Sequence, residues 1–400
     1  MQDVSLDGGH AVAGASSPFV AAGASALPAE SHPFRFTGKA SEFFGIWIVN
    51  LFLTIITLGI YSAWAKVRKK RYFYGHTWVA DANFEYHGNP IAILKGRLIA
   101  VAAFATYSGV GHFMPKVAAV LVLVLFAAAP WFIARSMAFN AFNSSYRNIR
   151  FRFHATYMDV LKAIWPVALV LVFPLLMPDW DPASKVPPPK MFWVIFGLQV
   201  LAIFAVYPYA IGALKKLHVN HSQYGAAPFA TKIGIEQFYI IYLVALLLIF
   251  GAVVVLGIGA ATVAGIVAAT GTKGGAASVV LMTVAFAAGY FFLGSLVIAY
   301  TKSRIGNLVF NNTRLDDHVS FTSTLKLRKL AWIYLVNMFA ILFSLGLAVP
   351  WAVIRVMRYR AECLTLQSNT SLDKFIGGVS AQVGATGEEL GEFFNVDLSL

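Results

Sequence analysis

Long apolar runs that end in cationic clusters alternate along most of the chain. Residues 43–65 form the first run, and the cluster Lys66, Arg68, Lys69, Lys70 and Arg71 follows it. Because apolar runs of about 18 or more residues are typical of membrane helices, the pattern predicts about six to eight membrane segments. They lie near residues 43–65, 91–110, 117–139, 158–177, 191–214, 233–269, 276–300 and 330–354. The predicted fold class is therefore an all-α polytopic membrane protein.

The first apolar run and its cationic end recur near the C-terminus. Residues 46–72 align without a gap on residues 333–359, and Asn50 falls on Asn337, Gly59 on Gly346 and Tyr72 on Tyr359. A shorter pattern, which we call a cationic unit, occurs five times. It consists of a cation, then Asn or Arg five residues later, then a short polar stretch that ends in Phe. The pairs are Lys66/Arg71, Arg135/Asn140, Lys215/Asn220, Lys302/Asn307 and Arg355/Arg360. We interpret these as internal pseudo-repeats from an old duplication of a helical hairpin.

Small β-hairpins are predicted directly after the cationic ends. Apolar and polar residues alternate on both sides of Asp81 and Asn83, and similar stretches occupy residues 145–154 and 312–321. The cations concentrate in or beside these units, and few lie in the links between paired spans. Since cytoplasmic loops carry the excess of Lys and Arg, the hairpins are predicted on the cytoplasmic side, with six full crossings between units one and four.

The last unit conflicts with that count. Cationic units four and five are both predicted on the cytoplasmic side. Only about 30 residues separate them, whereas two membrane crossings need about 40 residues. Either the last apolar segment crosses once and leaves its cations outside, or it is an ordinary span with an interfacial cationic end, or it enters and returns as a re-entrant hairpin. In the third alternative the helix breaks lie at Gly59 and Gly346, and such backbone must pack in protein or face water.

Composition excludes a soluble domain. Hydrophobic residues make up 58% of the chain and charged residues 12%, with a mean hydropathy of +0.69; soluble domains carry about 25% charged residues. The net charge of +13 is better explained by loop bias and anionic lipid than by nucleic acid, because the cations adjoin apolar runs. Membrane lipids are the expected partners. The single cysteine, Cys363, cannot form an internal disulfide.

Two polar tails flank the predicted membrane domain, which covers residues 35–375. Residues 1–34 lack Lys and Arg and are rich in Ala, Gly, Ser and Pro, which is typical of disorder. Residues 376–400 form an acidic tail with Glu388, Glu389, Glu392 and Asp397. We expect that tail either to be solvated or to lie against the basic hairpins.

Two asparagines are the candidate intramembrane polar site. Asn50 and Asn337 lie in apolar stretches, and polar residues there are functional candidates by default. The alternative is an interhelical hydrogen bond worth about 1 kcal/mol. The candidate contacts to lipid head groups are Lys66, Arg68, Lys69, Lys70, Arg71, Arg355, Arg358 and Arg360.

Other motifs point to packing rather than chemistry. His218 and His221 have helical metal spacing but no nearby Cys or paired carboxylate, so no metal site is predicted. Motifs of hydrolases, zinc proteases and P-loop enzymes are absent, so neither an enzyme nor a cofactor is predicted. The stripe Gly257, Ala261, Gly265 and Ala269 predicts close helix packing, inside the chain or in a homo-oligomer.

Two long stretches carry a family resemblance. FRFTGKASEFFGIWIVNLFLTIITLGIYSAWAKVRKKRYFYGHTWVADANFEYHGNPIAILKGRLIA, from Phe34, resembles the start of the YjgN-like family, and LKLRKLAWIYLVNMFAILFSLGLAVPWAVIRVMRYRAECLTL resembles its end. That family groups multi-pass bacterial inner-membrane proteins as a domain of unknown function. The resemblance covers about residues 34–375 and implies an inner-membrane location. It brings no established activity and no catalytic residues.

Two functional hypotheses remain. The first is a transporter- or channel-like protein in which Asn50 and Asn337 face a cavity between broken helices. The second is a non-transport scaffold or anionic-lipid-binding protein, whose cationic units bind head groups. A solvated space between the asparagine segments favours the first, and lipid at the cationic ends favours the second.

Overall fold

Short strands and helix pairs alternate along the chain. The computed structural model describes residues 30–178, 180, 186–270 and 275–383. The helices are α1 (Ala40–Ile56), α2 (Ser62–Gly75), α3 (Pro90–Phe113), α4 (Pro115–Phe142), α5 (Tyr157–Ile164), α6 (Pro166–Leu176), α7 (Lys190–Asn220), α8 (Glu236–Thr270), α9 (Gly275–Asn311), α10 (Leu327–Phe343), α11 (Val349–Glu362) and α12 (372–383). The strands are β1 (Glu30–Pro33), β2 (Arg35–Phe36), β3 (Thr77–Val79), β4 (Ala82–Tyr86), β5 (Ser144–Tyr146), β6 (Ile149–Phe153), β7 (Ser222–Tyr224), β8 (Ala227–Thr231), β9 (Thr313–Leu315), β10 (Val319–Ser323) and β11 (Leu364–Ser368).

One antiparallel sheet joins the eleven described strands, in the order β1-β11-β10-β9-β8-β7-β6-β5-β4-β3-β2. Its two ends meet in one extended segment, since β1 pairs with β11 and β2 pairs with β3. Phe34 lies between these two strands and donates its backbone N–H to the carbonyl of Leu364, 2.9 Å away. The sheet therefore curls into a nearly closed ring, which we call the strand ring.

The prediction of an all-α protein with small separate hairpins is wrong. The hairpins exist, but each pairs with its neighbours along the chain, as β4 does with β5 and β6 with β7. The physical reason is that an isolated two-stranded hairpin is at best marginally stable and leaves two unpaired edges. Joining the hairpins in a ring satisfies those edges.

Connections around the strand ring alternate between tight turns and helical segments, which hold two helices each, or three between β6 and β7. Ala80 and Asp81 both have positive φ, as do Arg147 and Asn148, which is the geometry of two-residue hairpin turns. Because every second connection is a turn, the turns lie at one end of the strand ring and the helices leave from the other. Each helix packs mainly on its neighbours in chain order, and α11 packs on α1, so the helices also form a circle.

Four described helices are long and apolar enough to cross a membrane: α3, residues 116–142 of α4, α7, and residues 236–262 of α8. The bent pair α5 and α6, with a 60° angle between them, makes five if it counts as one span. The prediction of six to eight membrane segments is therefore wrong. One reason is that the runs near 43–65 and 330–354 are each folded into two short helices, which composition alone does not reveal.

The C-terminal helix α12 covers the turn end of the strand ring. Leu372, Ile376 and Val379 are buried there against strand residues, and Arg147 Nη1 lies 2.5 Å from Asp373 Oδ1. This helix includes the start of the predicted acidic tail, whose residues 384–400 lie outside the described part. Likewise, residues 30–34 of the predicted N-terminal tail belong to or follow β1, and residues 1–29 are not described.

Candidate functional site: the chamber inside the strand ring

The strand ring encloses a cavity of about 600 Å³, which we call the chamber. Its wall follows the alternation expected of strands, since residues i and i+2 face one side. The strand residues that line it are Phe36, Thr77, Val79, Phe84, Ser144, Tyr146, Phe151, Ser222, Tyr224, Phe229, Leu315, Val319, Phe321, Ser323, Leu364 and Leu366. The volume and the mostly apolar lining with a few polar groups are typical of small-molecule pockets.

Five phenylalanines form a band around the middle of the chamber. They are Phe34, which lies between β1 and β2, and Phe84, Phe151, Phe229 and Phe321, which lie on β4, β6, β8 and β10. Consecutive rings from Phe34 to Phe321 are stacked, with centroids 6.3 to 6.4 Å apart. Aromatic pairs of this kind contribute about 0.5–1.5 kcal/mol beyond their buried area. The band therefore stabilises the strand ring and makes its interior apolar.

The turn end of the chamber is closed by protein. The hydroxyl of Tyr146 donates to the carbonyl of Val79 at 2.7 Å, and that of Tyr224 donates to the carbonyl of Tyr146 at 3.0 Å. Burial raises the pKa of both phenols, so both stay neutral and keep donating. Leu372, Phe375 and Ile376 of α12 also line this end. These side chains and α12 therefore cover the turn end of the chamber.

At the helix end, five equivalent positions precede the strands of the ring, and we call them the collar. They are Phe73, Asn140, His218, Val309 and Arg360, each four residues before the first residue of β3, β5, β7, β9 or β11. Asn140, His218 and Arg360 line the chamber. The collar therefore places polar and cationic groups beside an otherwise apolar cavity.

Two lysines lie one helical turn behind the collar. Lys70 precedes Phe73, and Lys215 precedes His218, by three residues, which puts each pair on one helix face. Lys70 Nζ lies 2.5 Å from Asn140 Oδ1 and 4.5 Å from the centroid of the Tyr86 ring.

The electrostatics of the collar are strongly positive. Burial, and then the charge of Lys66, lowers the pKa of Lys70 to about 8. The positive charges of Lys302 and Arg360 lie close enough to Lys215 to repel its ammonium group. Within the residues described, no carboxylate forms an ion pair with Lys70, Lys215 or Arg360. Cations gathered without a counter-charge favour an anionic ligand.

The two predicted intramembrane asparagines lie elsewhere. Asn50 and Asn337 are buried, but neither lines the chamber. Asn337 Nδ2 donates to the carbonyl of Ala352 at 3.1 Å, inside its own helix pair, and the Oδ1 atoms of both have no partner in the described part of the chain. The structure thus gives Asn337 an interhelical bond within α10 and α11.

The predicted helix breaks lie at two matching turns. Leu58 and Gly59 connect α1 to α2, and Leu345 and Gly346 connect α10 to α11. Of the predicted head-group contacts, Lys66, Arg68, Lys69, Arg71, Arg358 and Arg360 are exposed, and Lys70 and Arg355 are partly buried. Arg355 lies over the Trp351 ring, 5.1 Å from its centroid.

The remaining predicted residues do not lie together in one site. His218 belongs to the collar, whereas His221 Nε2 lies 3.6 Å from Asp159 Oδ2. On α8, Gly257, Ala261 and Gly265 are exposed, and the side chain of Ala269 is not described. Homo-oligomer formation through this stripe stays a prediction.

Sequence reasoning missed the chamber because it aligned the five units on a cation and the residue five positions later. The structurally equivalent positions are instead those four residues before each strand. Asn140 and Arg360 are equivalent, but Arg71 and Asn307 lie two residues earlier and Asn220 two residues later than the collar position. Aligning the five strand starts would have brought the collar and the five phenylalanines into register.

Comparisons with known proteins agree with a membrane location. A family model described as "Bacterial protein of unknown function (DUF898)" matches residues 31–393. Inner membrane protein YjgN of Salmonella typhimurium is 26% identical over 356 residues, which cover 85% of this chain and 89% of that protein. The protein of the same name from Escherichia coli K12 is 35% identical over 148 residues, 37% of this chain and 36% of that protein. No solved structure matches. The predicted family resemblance is confirmed.

Proposed function

We propose that this chain, which belongs to the DUF898 family of bacterial proteins, is a multi-pass inner-membrane protein that binds an anionic amphiphile in its chamber. The relatives are inner membrane proteins, and four to five described helices are long and apolar enough to span. In this arrangement the strand ring lies at the cytoplasmic face, because the cationic helix ends adjoin it. The apolar tail occupies the chamber and the anionic group lies at the collar.

The observation that carries this proposal is a set of cations without ion pairs among the described residues, in and directly behind the collar of an apolar chamber. Arg360 lines the chamber, Lys70 contacts the lining residue Asn140, and Lys215 lies within electrostatic range of Arg360. The wall beyond them is aromatic and aliphatic. Such a gradient matches a molecule with one charged end and one apolar end. Each Lys or Arg near an anionic head group contributes about 1 kcal/mol to binding. The proposal is a specific form of the lipid-binding hypothesis, in which the lipid lies inside the strand ring and not only at the cationic helix ends.

A duplicated origin of the helix pairs is part of the proposal. Tyr72 and Tyr359 make the same contact, because each hydroxyl accepts the backbone N–H of a lysine 33 residues earlier, at 2.8 and 2.9 Å. Shared sequence and shared contacts at both ends of the chain support internal repeats. We propose no catalytic role.

The second candidate is channel-like passage of a soluble anion along the axis of the strand ring. Arg360 in the collar and the two lysines behind it favour this candidate, since Lys and Arg side chains select anions in pores and apolar constrictions gate them. However, α12 and the two tyrosines close the turn end. This closure favours a binding site over a channel. The path would follow the axis and not the asparagines, because neither lines the chamber.

The test uses purified protein in nanodiscs and two fluorescent lipids with identical pyrene-labelled chains, phosphatidylglycerol and phosphatidylcholine. We expect preferential binding of phosphatidylglycerol, and a loss of about fivefold in that preference in Arg360→Gln, which removes one cation. Arg68→Gln, an exposed cation on α2 outside the collar, is the control. Equal binding of both lipids by the wild type contradicts the proposal.

A second pair of variants locates the tail. Ser222→Phe puts a ring into the chamber, whereas Gln223→Phe adds the same ring on the alternate strand position, which does not line it. Only Ser222→Phe should reduce binding of both lipids. Chloride or phosphate efflux from protein-containing vesicles, abolished by Ser222→Phe, would instead support the channel-like candidate.

A further inference from the structure

Two neighbouring helix pairs, α1–α2 and α10–α11, consist of helices shorter than α3, α4, α7, α8 and α9. α1 and α10 have 17 residues each, and α2 and α11 have 14 each, whereas α7 has 31. At 1.5 Å per residue the short helices are about 21 to 25 Å long and α7 is about 46 Å long. The two short pairs are adjacent, because α11 packs on α1 and Arg358 Nη2 donates to the carbonyl of Gly38 at 3.3 Å. The helix circle is therefore low on the side where these two pairs meet.

The tips of the short pairs are apolar and uncovered. Leu58 is 94% exposed and Leu345 is 93% exposed. Ile55, Ile56, Ile60, Phe343 and Leu347 are exposed around them. Large apolar side chains clustered in this way mark a surface that contacts protein or lipid.

The turns at these tips satisfy their own backbone. The N–H of Gly59 donates to the carbonyl of Thr54 at 2.7 Å, and that of Gly346 to the carbonyl of Ile341 at 2.8 Å, which is the closing bond of a Schellman motif. Thr57 Oγ1 accepts the N–H of Tyr61 at 2.9 Å. Matching this, Ser344 Oγ accepts the N–H of Ala348 at 2.8 Å. Internally bonded turns tolerate an apolar surrounding, which unsatisfied backbone does not.

The cations set the depth of the tips. Lys66 lies eight residues after Leu58, a helical distance of about 12 Å. With the cationic ends at head-group level, each tip reaches the acyl chains of one leaflet, since half of the hydrocarbon core is about 15 Å.

We propose that the two short helix pairs dip into the cytoplasmic leaflet only and leave a lateral portal above Leu58 and Leu345. Through this portal an acyl chain passes from the bilayer to the axis of the helix circle and on to the collar. The occupant is a membrane phospholipid with an anionic head group. Its identity rests on the proposed function, whereas the portal itself rests on helix length and tip chemistry.

Depth measurements test the portal directly. With Cys363→Ser as background, a fluorophore is placed at Leu58→Cys, at Leu345→Cys, or at Phe113→Cys, the exposed end of the long helix α3. We expect nitroxides on mid-chain lipid positions to quench the first two labels and a water-soluble quencher to leave them unaffected. The label at 113 should respond to the water-soluble quencher. Aqueous quenching at 58 and 345, from either face, overturns the portal.

Loading kinetics separate this inference from the proposed function. A charge at the tip should slow transfer of pyrene-labelled phosphatidylglycerol from vesicles to protein by about tenfold in Leu58→Asp combined with Leu345→Asp. Phe113→Asp is the control and should transfer at the wild-type rate. Buried tips with unchanged transfer would overturn the portal as a route. Aqueous tips together with intact collar-dependent binding would overturn the portal and leave the chamber proposal standing.

Discussion

Lys70 Nζ lies 2.5 Å from Asn140 Oδ1, so a cation of α2 and an amide of α4 meet at the collar across 70 residues of chain. The amide orients the ammonium but does not neutralise it. Because Lys70 is also partly desolvated, its charge is available to an anion that replaces water at the collar. This contact therefore links the packing of two helix pairs to the electrostatics of the chamber.

Phosphatidylglycerol binding should weaken as pH rises through about 8. The reason is that burial, and then Lys66, lowers the pKa of Lys70 to about 8, and only the protonated form attracts an anion. A bound anion favours that form, so binding should take up protons near this pH. The neighbouring Tyr86 does not titrate there, because burial raises its pKa to about 12.

Binding isotherms in buffers of different ionisation enthalpy measure that proton uptake. Lys70→Gln should bind more weakly and lose the step near pH 8, whereas Arg68→Gln should keep it. An identical pH profile for wild type and Lys70→Gln would remove Lys70 from the site.

Gly225→Ala should destabilise the protein by about 1–3 kcal/mol, because both conformation and space oppose a side chain there. Gly225 has φ +58°, and an added Cβ would lie 2.7 Å from Val379 Cγ1 of α12. Gly251→Ala on α8 is the control, since no atom lies near its added Cβ. Thermal unfolding in detergent should show a lower Tm for the first variant only. Equal Tm values would mean that α12 does not pack on this turn.

Ile376→Ala should cost roughly 2–5 kcal/mol, because it leaves a cavity between α12 and the strand ring. Asp373→Asn breaks the ion pair with Arg147, but the Asp373 side chain is 81% exposed. Exposed pairs contribute at most about 1 kcal/mol, so this variant should unfold nearly as the wild type does. Protease sensitivity of residues 372–383 gives an independent measure. A larger effect from Asp373→Asn would show that charge, not packing, holds α12.

Tyr72→Phe and Tyr359→Phe should each lower stability by about 1 kcal/mol, the net value of a typical hydrogen bond. Both hydroxyls bridge backbone groups of a lysine at the start of the partner helix. Equal effects, compared by denaturant unfolding in detergent, would agree with equivalent roles of the two short pairs. No effect in either variant would indicate that water replaces the phenol.

Local features of the fold were readable from sequence, and long-range pairing was not. The cationic helix ends and several hairpins follow from composition and alternation. Helix breaks at Gly59 and Gly346 belonged to one of the three alternatives for the last apolar segment. The strand ring was missed because strands such as β4 and β5 have three to five residues and are separated by a whole helix pair. Nothing in so short a strand specifies which distant edge it joins.

The candidate site was missed for a related reason. Asn50 and Asn337 stood out because they are polar in apolar helices, yet neither lines the chamber. The five phenylalanines are ordinary strand residues, and only ring closure makes them one surface. Length also misled, since the apolar run near 43–65 is long enough to span but is folded at Leu58 and Gly59.

The most direct test of the chamber is an experimental structure of the protein in nanodiscs that contain phosphatidylglycerol with brominated acyl chains. Bromine scatters strongly enough to mark where the tails lie. The account predicts bromine density inside the strand ring, within the band from Phe84 to Phe321, with the phosphate beside Arg360. Bromine density confined to the outer surfaces of the helices would contradict it.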